Sequence, residues 1–468
     1  MARRQGGTLS GFTPLSTPNA PTGLSVSTSI GSATVSFTAP TDTGDGAVTS
    51  FIVTAINEST GVSAGATGTE SPITVSPGGG TFKIRAQAVN GFGPGRLTEF
   101  STGNAIFSGA KLYAWGSNSQ GQQGRNNTTT TNSPVQVGAL ETWETLSEGD
   151  AFHSHAIKTD GTLWAWGDNG NGQLGDGARV KKSSPVQIGA LTTWSSAAND
   201  TNHSLLLRVD GALFSTGQNS NGQLGQNNLI LRSSPVQVGA AVWAKVAAGE
   251  SHSVAIRTNG TLWAWGKNNF GQCGDSTNTY RSSPVQVGAL STWYTIGAGN
   301  GRTFAIKSDN TLWAMGTMTW GALGNGFGAG NVNSPIQIGA LSNWSIVGTG
   351  DDGSGAVKTD GTLWTWGRNE RGQCGDNTDI NRSSPVQLGA LTTWGQISVG
   401  SLQRHAIKTD GTLWGWGYST GSGFNPYLSA VGDSTRYSRS SPVQLGALTN
   451  WVAVSSKNSH GLALEGVL

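Results

Sequence analysis

The stretch TDGTLWAWG, Thr159–Gly167, decides how the chain is read. It returns as TNGTLWAWG at Thr258–Gly266, TDGTLWTWG at Thr359–Gly367 and TDGTLWGWG at Thr409–Gly417. Asp160-Gly161 lies between two apolar runs and marks a hairpin, because a type I′ turn needs positive φ at both central residues. Ala156-Ile157-Lys158 leads into that turn and Leu163-Trp164-Ala165-Trp166 leads out. The outgoing strand is apolar at every position, so both its faces must be covered.

Working outward, this strand opens at Leu112, Leu163, Leu213, Leu262, Leu312, Leu363 and Leu413. A second marker, SPVQ or a close variant, places Pro134, Pro185, Pro235, Pro284, Pro335, Pro385 and Pro442. A third is a lone tryptophan: Trp143, Trp194, Trp243, Trp293, Trp344, Trp394 and Trp451. Three markers each count seven, at a period near 50 residues, which identifies a repeat architecture. Each unit reads as four short strands: the lone-Trp segment, the two hairpin strands and the SPVQ segment. Its proline stands near a strand start, where no ladder donor is lost. Small sheets covered on both faces predict a seven-bladed β-propeller over residues 107–468, an all-β fold.

The last copy is cut short. His460–Leu468 aligns with His155–Leu163 and ends where WAWG is due. The missing strand exists at the other end, as Leu112–Gly116. Pairing of Gly461–Leu464 with Lys111–Trp115 is therefore expected to close the ring and leave no exposed edge.

HAIKTDGTLWAWGDNGNGQLG, residues 155–175, resembles the repeat of the regulator of chromosome condensation family. GQLG at Gly172 and Gly222 and GQCG at Gly271 and Gly372 carry the same resemblance. It implies a seven-bladed propeller. The eukaryotic founder of that family is a nucleotide exchange factor on chromatin, but this chain has no basic chromatin-binding tail, so fold rather than exchange activity is expected to transfer.

Upstream, residues 1–17 are rich in Gly, Ser, Thr and Pro and read as a tether or docking segment. Residues 18–106 carry short strands, among them Ser32–Phe37, Ser50–Ala55 and Thr81–Val89, separated by turn signals such as Asp45-Gly46 and Asn90-Gly91. That spacing predicts a β-sandwich. PNAPTGLSV, SATVSFTAP and FKIRAQAVNGFGPG together resemble bacterial and phage fibronectin type III domains. Phe37 stands where that family often has a core Trp, and Phe82 near its usual corner Tyr.

Composition bounds the function. The 468 residues include 71 Gly and 18 Trp, only 12% are charged, and the net charge is +2. This excludes a strongly basic nucleic-acid binder and an acidic disordered chain. No apolar run is long enough to span a bilayer, so no membrane insertion is expected. MARRQGGTLSGF lacks the apolar stretch of a secretory signal, and export by that route is not expected.

Candidate chemistry follows the repeat. Cys273 and Cys374 take a position that is Leu174, Leu224 or Leu323 elsewhere, and read as core residues two blades apart. His155, His405 and His460 share one repeat position; His153, His203 and His252 share another. A metal ring is conceivable, but structural hydrogen bonding in the innermost strand is the simpler reading. Neither a catalytic set, a cofactor nor a metal site is expected. Lys182, Arg232, Arg281, Arg382 and Arg439 recur three residues before the SPVQ proline, and could form a cationic rim for an anionic surface or glycan. Lys158, Arg208, Arg257, Lys307, Lys358 and Lys408 form a second basic set. The last inter-strand loop, Tyr418–Arg439, is longer than its siblings and holds Tyr418, Phe424, Tyr427 and Tyr437, a candidate contact surface.

Tether, sandwich and rigid propeller together point to a non-enzymatic structural or adhesive component of a bacteriophage particle, in a tail, baseplate, fibre or capsid decoration. Its partners would be other virion proteins, reached through the N-terminal segment, and a host-surface glycan or protein. Virion proteins leave the cell by lysis and need no export signal. The rival reading is a bacterial surface or secreted protein-binding propeller.

Overall fold

A computed structural model describes residues 16–29, 32–57, 63–75, 80–99, 105–107, 109–147, 149, 152–419, 430–456 and 458–466. The chain divides into two compact units, Met1–Ser108 and Gly109–Leu468.

In the first unit, alternating strands build two antiparallel sheets. Thr22–Ser29, Ser32–Thr38 and Ile73–Val75 form one; Ser63–Gly68, Val48–Asn57, Gly80–Asn90 and Gly93–Leu97, with Ala105–Phe107 added, form the other. Their period-2 apolar faces meet in one core: Ala33, Val35 and Phe37 with Val75 on one side, Phe51, Val53, Phe82, Ile84 and Ala86 on the other. Phe37 packs on Phe51 with ring centroids 4.9 Å apart. The core is thus filled by two modest aromatics where a single larger one would do.

The second unit contains five four-stranded antiparallel sheets and one eight-stranded sheet made of two bridged blades, seven blades in all, and so is a β-propeller. Blade 3 shows the plan: Trp194–Asp200, His203–Arg208, Leu213–Gly217 and Arg232–Gln237 pair in chain order. Lone-Trp strands of successive blades touch all the way round, which places them innermost. The histidines therefore lie on the second strand of blades 1 to 4 and 7, one layer further out than the sequence reading put them.

Every residue of Leu205, Leu206 and Leu207 is buried, because one blade covers each face of the strand. The second Trp of WAWG then crosses between blades. Trp115, Trp166, Trp265, Trp366 and Trp416 are fully buried. Their Nε1 atoms donate to carbonyls of the preceding blade at Ala430, Gln122, Gln223, Ala322 and Gln373, over 2.8–3.1 Å. One such indole removes roughly 150–250 Å² from water, or about 4–6 kcal/mol of gross transfer energy. The GQxG turn ends in glycine to admit it. At Gly375, φ is 75° and a Cβ would meet Trp416 Nε1 at 2.6 Å.

Blade 1 is assembled from both ends of the unit. Trp451–Ser456 and His460–Gly466 come from the C-terminal side, Ala110–Gly116 and Thr131–Gln136 from the N-terminal side. His460–Gly466 and Gly116–Ala110 pair antiparallel through seven consecutive partners, Leu464 facing Leu112. A backbone bridge from Ala110 to Trp143 continues blade 1 into blade 2.

Candidate functional site: the mouth of the propeller

The turns between first and second strands ring one end of the axis. Crowding there dictates small residues. A Cβ on Gly249 would meet Gly299 O at 2.6 Å, and one on Gly299 would meet Gly350 O at 2.5 Å. Blade 3 breaks the rule with Asp200, whose side chain is 2% exposed and accepts from Thr201 N. Burial, then the charge of Asp351, holds its carboxyl well above the usual range. Asp351 is also raised by burial, against the pull of a 2.6 Å bond from Ser401 Oγ.

Two buried arginines brace the same end. Arg302 donates from Nη1 to Gly350 O at 3.1 Å, and burial lowers its guanidinium to about 10. Arg404 donates from Nη2 to Trp366 O at 3.1 Å and fills the space left by Gly353, where any Cβ would strike its guanidinium.

Blade 5 carries the most unusual surface. In blades 1 to 4 and 6 an Asn and a Gln organise the turn after the third strand. Asn169 Oδ1 accepts from Leu174 N, its Nδ2 reaches Ala178 O and Val180 O, and Gln173 Oε1 accepts from Asn171 N. Blade 5 has Met318 and Ala322 at those places. Without the two amides the turn tightens into a short 3₁₀ segment, Thr319–Gly321. Trp320 is left in the left-handed region, φ 62° and ψ 13°, and 38% exposed. Such a backbone state costs about 1–3 kcal/mol for a bulky residue and marks sites where side-chain display matters. The Arg368 guanidinium lies 4.8 Å from the Trp320 ring centroid, and pairs with Asp352 at 2.9 Å and Glu370 at 2.8 Å. An aromatic anchor, a stacked arginine and two carboxylates thus share one edge of the mouth.

The histidines form an internal belt. His153, His203 and His252 reach Ser204, Ser253 and Thr303 of the next blade over 2.8–2.9 Å. These resemble nucleophile–base pairs but run the wrong way. Each hydroxyl spends its single proton on a carbonyl, Gln173, Gln223 or Gln272 O. Nε2 must therefore donate, and the hydroxyl cannot be deprotonated by its histidine. Burial lowers His203 and His252 to about 3, so both rings are neutral at neutral pH. Among the described residues, no group of three His, Cys, Asp or Glu side chains is placed to hold a metal. Both cysteines are buried and free.

The expected cationic rim is largely neutralised. Arg281, Arg382 and Arg439 each bind an aspartate six residues earlier, Asp275, Asp376 and Asp433, at 2.6 Å. Burial pushes Asp275 up, and hydrogen bonds from Thr277 and Arg281 more than reverse it. Lys182 lies 3.5 Å from Asp176, while the residue six before Arg232 is Gln226 rather than an aspartate. The second basic set caps indoles: Lys158, Arg257, Lys307, Lys358 and Lys408 sit 3.6–3.8 Å from the ring centroids of Trp164, Trp263, Trp313, Trp364 and Trp414. In the last loop, Tyr418 is half-buried with Arg371 5.5 Å from its ring, and Tyr437 is 74% exposed. A 3.1 Å bond from Ser419 N to Ser438 Oγ joins the feet of that loop. Phe424 and Tyr427 lie outside the described residues. The sequence reading passed over Trp320, although MTWGALG in place of NxxGQxG was its visible signal.

A ring of seven four-stranded blades with interlocked indoles defines a repeat-built β-propeller. Residues 102–400 match the RCC1-like domain model, well over half of the chain, and the chain belongs to that family. Over 89 residues it is 37% identical to the ultraviolet-B receptor UVR8 of Arabidopsis thaliana, covering 19% of this chain and 20% of that one. Over 81 residues it is 40% identical to the probable E3 ubiquitin-protein ligase HERC6 of Homo sapiens, covering 16% of this chain and 8% of that one. The matched stretches thus span a fifth or less of these relatives. Human WBSCR16 superposes with a TM-score of 0.67 at 19% identity, over 76% of this chain and 98% of that one. Yeast RCC1 (Prp20), solved bound to Kap60, gives 0.67 at 19% identity, over 77% and 90%. At such identities the likeness is one of fold.

Proposed function

We propose that the protein is a rigid, non-enzymatic binding scaffold whose propeller mouth docks a protein partner at the blade 5 edge. The observation that carries this is Trp320, exposed in a strained backbone state beside Arg368, since Trp and Arg dominate protein-binding hot spots. Replacing Trp320 with Ala, which keeps the Cβ and so leaves the backbone strain in place, is expected to weaken partner binding by tenfold or more, about 1.4 kcal/mol. A W320A protein that binds like the wild type overturns the docking site.

The narrower proposal is that this scaffold belongs to a bacteriophage particle, held there by residues 1–17 and by a fibronectin type III-like sandwich. Low charge, the tether and the two facing sheets of the first unit support it. The protein is then expected in purified, DNA-filled particles, and deletion of residues 1–17 is expected to abolish incorporation. Recovery only in cell-envelope fractions favours a bacterial surface propeller instead.

A further inference from the structure

We propose that Asn259 is a site of spontaneous deamidation, and that the folded blade accommodates its aspartate product. Four sibling turns supply the template. Asp160, Asp309, Asp360 and Asp410 each accept from the backbone N–H and the hydroxyl of the Thr two residues on, over 2.9–3.0 and 2.6–2.7 Å. Each hydroxyl in turn accepts from the indole Nε1 of Trp164, Trp313, Trp364 or Trp414. These bonds favour the charged carboxylate, and hold Asp309, Asp360 and Asp410 below the usual range.

Blade 4 has the same cradle around an amide. Asn259 Oδ1 accepts from Thr261 N at 3.2 Å and Thr261 Oγ1 at 2.7 Å, and Thr261 Oγ1 accepts from Trp263 Nε1 at 2.9 Å. Three features favour reaction. The following residue is Gly260, so no side chain shields its nitrogen. Two donors polarise the Asn259 carbonyl, as an oxyanion site does. The residue is exposed, with its leaving nitrogen outside the cradle. One contact opposes it: Gly260 N donates to Arg257 O at 2.9 Å, so attack awaits opening of that bond.

The step balances without an outside oxidant or reductant. Gly260 N, losing its proton, bonds to Asn259 Cγ; the Cγ–Nδ2 bond breaks and ammonia leaves. Water then opens the succinimide at either carbonyl, giving aspartate or isoaspartate. Only aspartate restores the Thr261 cradle, with Arg257 placed as Lys158 is beside Asp160. The product is an acidic isoform, one charge unit below the +2 of the starting chain.

Other Asn-Gly pairs are Asn90, Asn169, Asn171, Asn221, Asn300 and Asn325. Asn90 and Asn169 are buried, with their amide nitrogens donating to carbonyls of Thr43 and Ala178 among others. Asn171, Asn221, Asn300 and Asn325 are partly exposed and compete; Asn300 lies at the mouth. The test is peptide mapping of the folded full chain during incubation at mildly alkaline pH, beside the thermal midpoint of N259D. Conversion at Asn259 together with an N259D midpoint at or above wild type is the expected result. Retention of the Asn259 amide after Asn300 has converted overturns the proposal, as does an N259D protein that melts below wild type.

Discussion

At Asp200 a carboxyl stands where five other blades place glycine, at Gly149, Gly249, Gly299, Gly350 and Gly400. Its folded pKa is raised above the unfolded value, so its contribution to stability is fully present below about 3.9 and is lost as pH rises through the folded pKa. At neutral pH the group is therefore a liability. Asp200→Asn keeps the hydrogen bond from Thr201 N and removes the ionisation. It is expected to raise the thermal midpoint at pH 7, with the gain shrinking toward pH 4. An equal gain at both pH values would show that ionisation is not the cause. Trp320 teaches the complementary lesson: at the residue scale, function is sought where a repeat abandons its own rule.

The hairpin and the histidine belt set behaviour at the scale of the element. His203 and His252 have folded pKa values of about 3, below the unfolded 6.5. The unfolded chain binds those protons first, so stability is intact above about pH 6.5 and falls as pH drops toward 3. Denaturant titrations between pH 7 and pH 4 are expected to show this loss, and His203→Gln with His252→Gln to flatten it while lowering stability at pH 7. Strand identity was legible in the sequence because a covered strand must be apolar on both faces, as LWAWG and the run Leu205-Leu206-Leu207 are. The role of the basic residues was not. Asp275 and Arg281 are six apart, and only the loop folded around Asn268, whose Nδ2 reaches Asp275 Oδ1 at 3.0 Å, brings them together. The histidines were placed one strand too far inward for a similar reason: the order of strands within a blade depends on contacts between blades, which no single repeat contains.

For the molecule as a whole, the count of seven followed from three independent markers, and the ring is completed by Leu462, Ala463 and Leu464, all fully buried in blade 1. Truncation after Lys457 removes them and bares the strand Ala110–Gly116. Losing the two leucines alone costs about 3–6 kcal/mol of burial, so a sharply lower melting temperature and edge-to-edge aggregation are expected; an unchanged midpoint would exclude a stabilising role for the closure. The same arrangement has a mechanical side. Any tension transmitted along the chain through Gly109 enters the propeller at Ala110. The strand that receives it is flanked on one side by His460–Gly466 and on the other by Thr131–Gln136. Drawn along its axis, that strand must slide past both neighbours, with its hydrogen bonds resisting in parallel rather than opening one after another. The first and last strands of the propeller unit thus grip each other at the one place where a pull from upstream arrives.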